Sequence, residues 1–231
     1  MRQEAVSIKE EEKMGYNVAI DGPAGAGKST VAKRVAKEMG FVYVDTGAMY
    51  RALAVYFLKQ GIKPEESEKI ALACKNAVVT IGYEDGIQQV YLNGENVTGM
   101  LREEAVGNMA SVSSAIKEVR AQLLELQREL ARTKDVVMDG RDIGTNILPS
   151  ADVKVYLTAS VETRAKRRYL EFQEKGIACD LNEIARDIEE RDYRDMHRDI
   201  APLKQAEDAV FLDSSNMTIE EVVNAIKELC K

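Results

Sequence analysis

The chain has 231 residues, 45% of them hydrophobic and four of them proline, which is enough apolar material to bury one substantial core. Its formal net charge of −7 argues against a broad nucleic-acid-binding surface. No window is apolar over a length that could span a bilayer, and the polar, acidic first residues are unlike a signal peptide. Three widely spaced cysteines without C-x-x-C spacing argue against a disulfide framework and a zinc site, so we expect reduced thiols in a cytoplasmic protein.

The N-terminal segment, residues 1–14, is expected to lie outside the folded domain. Met14 directly precedes the first strand-like run, so either the residues before it form a flexible extension or translation begins at Met14. Residues 15–231 are expected to form a single domain.

A glycine-rich loop follows the first strand-like run, and a helical pattern follows the loop. The loop, from Gly22 to Ser29, is a complete G-x-x-x-x-G-K-[ST] motif. In such a loop backbone N–H groups surround phosphates, the lysine charge reaches the β- and γ-phosphates, and the hydroxyl binds Mg²⁺. An ordinary glycine-rich turn is the alternative. Lys28 is the predicted catalytic lysine and Ser29 the predicted metal ligand. The predicted nucleotide-binding residues are Gly22, Pro23, Ala24, Gly25, Ala26, Gly27, Lys28, Ser29 and Thr30.

Short apolar runs alternate with helical patterns along most of the chain, which indicates a parallel α/β sheet. The first helix is expected to start at Lys28 and to stop at Gly40, a residue suited to the left-handed conformation. The last helix is expected to start after Thr218, with Glu221 in capping-box spacing. Its predicted apolar side consists of Val222, Val223, Ile226 and Leu229. The strand-like runs are residues 16–20, 41–44, 135–138, 153–157 and 210–212.

A different pattern interrupts this alternation between Val78 and Val97. Three short β-like runs are separated by Asp85-Gly86 and Asn93-Gly94, and both dipeptides are strong hairpin signals. We therefore predict a small antiparallel insertion, followed by a return to helical pattern over residues 101–132. The insertion is either a cap that faces a substrate or a decorative hairpin, and the sequence leaves these equally open.

Polar residues gather after two of the predicted strands, where ligands bind in an open parallel sheet. A threonine there can hydrogen-bond an acceptor nucleotide and an arginine can hold its phosphate, although a helix cap and a surface arginine are the plainer alternative. Two carboxylates and an arginine around one glycine favour a site. The residues are Asp45, Thr46 and Arg51 after the second strand, and Asp139, Arg141 and Asp142 after residues 136–138.

Taken together, these motifs resemble the bacterial cytidylate kinases, which belong to the nucleoside monophosphate kinase group of P-loop kinases. The resemblance extends from about Tyr16 to the C-terminus and includes the β insertion. It implies a three-layer α/β P-loop fold, with a central parallel sheet flanked by helices, the small antiparallel β insertion and a helical lid. It also implies an acceptor-binding insertion over about residues 62–115 and a lid over about residues 160–200. The matching strings are IDGPAGAGKST, DTGAMYR, NMASVSSAIKEVR, DGRDIGT and RDYRDMHRDIAPL.

The resemblance also implies roles for individual residues. Thr46 stands where the family often has serine, and it keeps the hydroxyl. Chemistry supports the base-reading assignment, because a carboxylate such as Asp142 accepts from the amino group of cytosine and is a poor partner for the carbonyl of uracil. Arg120 can donate to the ring carbonyl and N3. The implied positions are Ser111, Arg120 and Asp142 at the base; Thr46, Arg51, Arg141 and Arg198 at the acceptor and its phosphate; and Arg191 and Asp195 near the ribose.

Arginine is dense between Val161 and Arg198, at spacings of three and four that predict two basic helical faces. A mobile lid of this kind would neutralise the charge gathered during phosphoryl transfer and exclude water, whereas interleaved aspartates also allow a salt-bridged surface helix. His197 is read as a neighbour of Arg198 and not as a base. The two sets are Arg164, Arg167 and Arg168, and Arg191, Arg194 and Arg198.

The sequence thus predicts transfer of phosphate from ATP to CMP, and also to dCMP. Lys28, Arg141, Arg191 and Arg198 are the expected catalytic residues, and Mg²⁺ is the expected metal. Asp139 either orients a metal-bound water or is a hydrogen-bond acceptor at a strand end. The expected partners are small nucleotides, without nucleic acid or membrane, and the expected state is a monomer. A UMP or AMP kinase is the nearest alternative; the absence of an N-K-x-D string weighs against a nucleotide-switched binding protein.

Overall fold

The computed structural model describes residues 15–231, so the expected extension over residues 1–14 lies outside the described residues. The predicted alternation of strands and helices is present. The strands are β1 Asn17–Asp21, β2 Val42–Asp45, β3 Val79–Glu84, β4 Ile87–Leu92, β5 Glu95–Asn96, β6 Val136–Gly140, β7 Val153–Thr158 and β8 Val210–Asp213. The helices are α1 Lys28–Met39, α2 Thr46–Lys59, α3 Ser67–Ala73, α4 Glu104–Ser113, α5 Lys117–Arg132, α6 Val161–Glu174, α7 Leu181–His197 and α8 Ile219–Leu229.

The central sheet has five parallel strands in the order β2-β6-β1-β7-β8. All five residues of β1 are buried, as expected for a strand covered on both faces. Alternate side chains of β1 enter opposite cores: Val18 and Ile20 pack with α1 and α8, while Ala19 packs with α2, α4 and α5. This arrangement confirms the predicted three-layer α/β fold and brings the carboxyl ends of all five strands to one edge.

The helix boundaries follow the predicted capping signals. Helix α1 ends at Met39, and Gly40 takes the left-handed conformation with φ of 72°. Thr218 and Glu221 form the predicted capping box of α8. Leu229 was expected on the apolar side of α8, but it is 38% exposed, because it lies at the margin of the buried helical stripe and not at its centre. The buried side of α8 consists of Val222, Val223 and Ile226.

The insertion forms a second sheet of three antiparallel strands in the order β3-β4-β5. Asp85-Gly86 and Asn93-Gly94 make its two turns, and all four residues have positive φ. Gln88 of β4 ties this sheet to the central one, because its side chain accepts from Asp45 N at 2.9 Å and donates to Asp45 O at 3.2 Å. The insertion therefore stands beside the end of β2. Residues 101–132, predicted to be helical, contain the two helices α4 and α5.

Helices α6 and α7 pack against each other around a small apolar cluster built on Ala165, Ile184 and Ile188. The prediction that Arg191, Arg194 and Arg198 share a helical face is wrong for Arg198, since α7 ends at His197 and Arg198 is extended. Among residues 15–231, no helix combines the length and apolar character that a membrane crossing requires.

Candidate active site

The phosphate loop joins β1 to α1 at the carboxyl edge of the sheet. Gly22 has φ of 148°, and a Cβ at this position would lie 1.9 Å from Leu157 O, so only glycine fits. Gly25 and Gly27 also have positive φ. Helix α1 begins at Lys28 without a side-chain cap. Its first N–H groups and the positive end of its dipole are thus available to a phosphate.

Lys28 folds back over its own loop. Its side chain is buried, and Nζ donates to Pro23 O at 2.7 Å. Burial, with the nearby charge of Arg141, holds the pKa of Lys28 well below its usual range. A phosphate oxygen entering the loop would supply a negatively charged hydrogen-bond partner, because a neutral carbonyl is the only hydrogen-bond partner of Lys28 among the described residues.

Ser29 and Tyr43 of β2 both donate to the carboxylate of Asp139. The Ser29 hydroxyl donates to Asp139 Oδ2 at 2.9 Å, and the Tyr43 hydroxyl donates to Asp139 Oδ1 at 2.9 Å. Burial, and then the charge of Asp45, raises the pKa of Asp139 to about 6. A hydroxyl beside a carboxylate is a donor set of hard oxygens that suits Mg²⁺. In the described part of the chain no three His, Cys, Asp or Glu residues are grouped to hold a metal, so phosphate oxygens would have to complete the coordination.

The residues after β2 lie against the same edge. Thr46 is buried, and its hydroxyl donates to Asp139 O at 2.8 Å. This approach requires glycine at position 140, since a Cβ there would lie 2.8 Å from Thr46 Oγ1. Asp45 caps α2 by accepting from Ala48 N at 2.9 Å. The threonine is thus not the helix cap that the plainer alternative proposed.

Asp142 lies at the centre of a buried charge cluster. Its Oδ2 accepts from Arg120 Nη2 and, at 3.1 Å, from Asn146 Nδ2. Its Oδ1 lies 3.3 Å from Arg198 Nη2. The side chains of Arg120, Asp142 and Arg198 are 6–7% exposed. One carboxylate is therefore shared by two arginines that come from α5 and from the segment after α7.

The two arginines meet again at Ser114, which follows α4. Arg120 Nη1 donates to Ser114 O at 3.2 Å, and Arg198 Nη1 donates to Ser114 Oγ at 3.3 Å. The Arg120 guanidinium also lies 5.6 Å from the centre of the Tyr50 ring. The cluster is thus enclosed by α2, α4 and α5.

A second ion pair joins Arg141 Nε to Asp195 Oδ2 at 2.9 Å. Burial alone would raise the pKa of Asp195, but Arg141 and then Arg191 outweigh burial and hold that pKa below its usual value. Burial, followed by the charge of Arg141, lowers the pKa of Arg191 to about 10. Arg191 Nε and Ser111 Oγ are both buried without a hydrogen-bond partner in residues 15–231. Two predicted substrate residues therefore keep unused hydrogen-bonding capacity.

Comparison with known proteins gives one consistent result. The family model for cytidylate kinase matches residues 18–231. This chain belongs to the cytidylate kinase family. It is 51% identical over 213 residues to the cytidylate kinase of Caldicellulosiruptor saccharolyticus, covering 92% of this chain and 94% of the relative. It is 50% identical over 222 residues to that of Lactobacillus johnsonii, covering 94% and 96%. As a member of this family it is a kinase. A solved shikimate kinase from Acinetobacter baumannii is 18% identical, with a TM-score of 0.43 and coverage of 95% of this chain and 94% of that one.

In this family member, the predicted site residues fall into two neighbouring groups. The first group surrounds the phosphate loop, and the second surrounds Asp142. Arg51 stands nearby, with Nη1 4.0 Å from Asp45 Oδ1. The first group contains Lys28, Ser29, Thr46 and Asp139; the second contains Arg120, Asp142 and Arg198, with Arg141, Arg191 and Asp195 adjoining it through their charges. Ser111 lies on α4, and its backbone oxygen accepts from the Ser114 hydroxyl.

The three arginines of α6 each contact a neighbouring group in the fold. Arg164 is buried and paired with Asp192 at 2.6 Å. Arg167 Nη2 donates to Ser214 O at 2.8 Å, and Arg168 lies over the Phe172 ring. Their neighbours, and not helical periodicity alone, decide where these guanidinium groups point.

Sequence reasoning missed three polar residues at this site and one contact of a predicted lid arginine. That arginine, Arg164, donates through Nη1 to Ala24 O in the phosphate loop at 2.9 Å. Asn146 supports Asp142, Tyr43 supports Asp139, and Asp21 accepts from two backbone N–H groups beyond β6. Only Asp21 carried a signal, as an acidic residue that ends a buried strand directly before the loop.

Proposed function

We propose that this chain transfers the γ-phosphoryl group of ATP to CMP and dCMP, giving ADP with CDP or dCDP. The buried Asp142 carboxylate, next to the phosphate loop, is the observation that supports this most. An ionised carboxylate only accepts hydrogen bonds, so it matches the amino group of cytosine and rejects the carbonyl that uracil has in its place. Arg120 and Arg198 lie on either side of this carboxylate and pair with it.

The proposed acceptor site surrounds that carboxylate. Arg120 and the unpartnered Ser111 hydroxyl contact the base, and the Arg191–Asp195 region contacts the ribose. Thr46, Arg51, Arg141 and Arg198 hold the acceptor and its phosphate. Bidentate guanidinium groups suit this role because their donors match the geometry of phosphate oxygens.

The reaction needs no dedicated base. The attacking oxygen belongs to a phosphate that is already largely ionised at neutral pH, so positioning and charge stabilisation are sufficient. This oxygen forms a bond to the γ-phosphorus while the bond to the β,γ-bridging oxygen breaks, and the electron pair leaves with ADP. Lys28, Arg141, Arg191 and Arg198 stabilise the negative charge of the transferring group.

ATP binds along the loop from Gly22 to Thr30, and Lys28 exchanges Pro23 O for phosphate oxygens. Ser29 would hold Mg²⁺, which supplies charge neutralisation and orientation of the phosphates when it is bound. The Asp139 carboxylate, 2.9 Å from the Ser29 hydroxyl, stands where it can accept from a water on that ion.

Two parts of the chain are proposed to serve as movable covers. The acceptor-binding insertion, about residues 62–115, includes the three-stranded sheet and would frame the acceptor. Helices α6 and α7, within about residues 160–200, would act as the lid. The lid has its own small apolar cluster, which supports movement as a unit.

We further propose a monomer in the cytoplasm, where the free thiols of Cys74, Cys179 and Cys230 remain reduced.

A coupled ADP-release assay tests this function with Mg²⁺-ATP and CMP, dCMP, UMP or AMP as the acceptor, and with an acceptor-free blank. We expect turnover with the two cytidine nucleotides and little with the others. Equal turnover of AMP, or no turnover of CMP, would defeat the proposal. ADP release without any acceptor would indicate an ATPase or a nucleotide switch.

A further inference from the structure

The last residue of β1, Asp21, supports a turn that lies 122 residues further along the chain. Its Oδ1 accepts from Ile143 N and its Oδ2 accepts from Gly144 N, both at 2.8 Å. Those N–H groups begin the π-helical turn Ile143–Ile147, which directly follows Asp142. Asp21 is 5% exposed, and in the described residues these two amides are its hydrogen-bond partners.

Asp142 would ordinarily cap this turn itself. An aspartate that precedes a helical turn typically accepts from the N–H groups two or three residues later. Asp142 makes no such bond, and both of its oxygens instead meet side-chain donors. Asp21 satisfies the turn from a different element, and this leaves the Asp142 carboxylate free to face Arg120 and Arg198.

The far end of the same turn is held as well. Arg128 of α5 donates to Ile147 O and Asn146 O, both at 3.2 Å. The Asn146 side chain in turn donates to Asp142 at 3.1 Å. The turn is thus fixed at both ends, and any rotation of it would move the Asp142 carboxylate.

Burial disfavours the ionised form of the Asp21 carboxyl group. Desolvation raises its pKa to about 6, and the hydrogen bonds from Gly144 and Ile143 oppose that rise. A Cβ on Gly144 would lie 3.5 Å from Asp21 Oδ2, which shows how closely the turn approaches the strand. Asp21 is also joined covalently to Gly22, the first residue of the phosphate loop.

We propose that Asp21 is a positioning residue for acceptor selection: by capping residues 143–147 it keeps the Asp142 carboxylate aimed at the amino group of the acceptor base. The proposal rests on the proposed function of Asp142 in selecting cytosine. Because Asp21 leads directly into the phosphate loop, the same contact fixes the acceptor base relative to the donor phosphates.

Asp21→Asn tests this with nearly unchanged shape. The amide places an N–H₂ group opposite one of the two backbone N–H groups, so one of these loses its acceptor. We expect the KM for CMP to rise about tenfold and the preference for CMP over UMP to fall about tenfold, while the KM for ATP stays within about twofold. Asp152→Asn is the matched control, because this exposed carboxylate accepts from Asn17 N at 2.7 Å at the opposite end of β1. It should leave the KM for CMP and the preference for CMP over UMP unchanged.

Arg128→Met is a second variant, at an exposed position, that loosens the other end of the turn. It should change the KM for CMP and the preference for CMP over UMP in the same direction by about threefold. Amide hydrogen exchange adds a readout that needs no substrate: Ile143 and Gly144 should exchange faster in Asp21→Asn than in the parent, and equally in Asp152→Asn.

The outcomes separate this proposal from the proposed function. If the parent does not phosphorylate CMP, the proposed function fails, and so does the selection role that rests on it, whatever the exchange data show. If the parent is active and Asp21→Asn lowers only the melting temperature, or raises the KM for ATP and CMP equally, Asp21 does not position the acceptor site. Unchanged exchange at Ile143 and Gly144 would overturn the cap itself.

Discussion

The two halves of the site are built in opposite ways. The proposed donor half comes from one continuous stretch, β1, the loop and α1, with Asp139 as its main partner from elsewhere. The proposed acceptor half places Asp142 among side chains from α5, the 143–147 turn and the segment after α7. Phosphate recognition relies on consecutive backbone N–H groups, which a single loop can supply. Base selection needs side chains that converge from several directions, which only a folded chain can supply.

The charges of the two halves are also held differently. Lys28 has a neutral carbonyl as its hydrogen-bond partner, whereas Arg120 and Arg198 share the Asp142 carboxylate and Arg141 pairs with Asp195. In the proposed mechanism, Lys28 would exchange its partner when phosphate arrives, whereas the proposed acceptor groups already pair with one another. Substitutions in one half should leave binding to the other half largely intact.

The largest effect is expected on the donor side. Lys28→Met removes the charge that stabilises the transferring phosphoryl group, so kcat/KM should fall about 10³-fold in the ADP-release assay. Lys33→Met is the control, because Lys33 is an exposed lysine on the same helix, 5.5 Å from the Tyr43 ring. A comparable loss in that control would mean that the helix, and not the Lys28 charge, carries the effect.

On the acceptor side, Asp142→Asn should lower kcat/KM for CMP about 100-fold and change the KM for ATP by no more than about twofold. The neutral amide faces one of the two arginines with an N–H₂ group, and it leaves both buried guanidinium groups without their anionic partner. Asp187→Asn, at an exposed position on α7, is the control. Equal losses for CMP and ATP would make Asp142 structural and erase the contrast between the two halves.

The contribution of Asp21, which joins the two halves of the site, to the free energy of unfolding should depend on pH. The folded state raises the pKa of Asp21 from 3.8 to about 6, so its protonated form stabilises the fold below about pH 4, and this contribution is lost as pH rises through about 6. The charge of Asp142 adds to this rise in the pKa of Asp21, and the charge of Lys28 opposes it. Between pH 4.5 and pH 7, the parent should therefore lose about 2 kcal/mol of unfolding free energy relative to Asp21→Asn. Urea unfolding of both proteins at the two pH values measures this difference. A constant difference across that range would mean that burial does not perturb this carboxyl.

The smallest effect is expected where the insertion meets the acceptor half. Gln88→Leu removes both hydrogen bonds to Asp45, so the free energy of unfolding should fall by about 1–2 kcal/mol, and the KM for CMP should rise by no more than about threefold. Gln89→Leu, whose side chain meets Asn96 on the partially exposed face, is the control. If the KM for CMP rose more in Gln88→Leu than in Lys28→Met or Asp142→Asn, the insertion, and not the Asp142 cluster, would be the main determinant of acceptor binding.

Most of the fold could be predicted from local signals. The phosphate loop, the left-handed Gly40, the capping box of α8 and the two hairpin turns each depend on a few adjacent residues, and the structure has all of them. The hydrophobic runs likewise predicted the first and last residues of the five parallel strands to within one or two residues. These features follow from backbone conformation and burial, which neighbouring residues decide.

The site depended on contacts between residues far apart in the chain. Periodicity placed Arg164 and Arg198 on helical faces of the lid, but it could not show that Arg164 is buried against Asp192 or that Arg198 lies beyond the end of α7. The partners of Asp139 and Asp21 lie about a hundred residues from them. The sequence by itself determined which elements form and which loop we propose to bind phosphate. Only the tertiary structure decided which donor each buried carboxylate meets, because a buried polar group must find its partner wherever the fold places one.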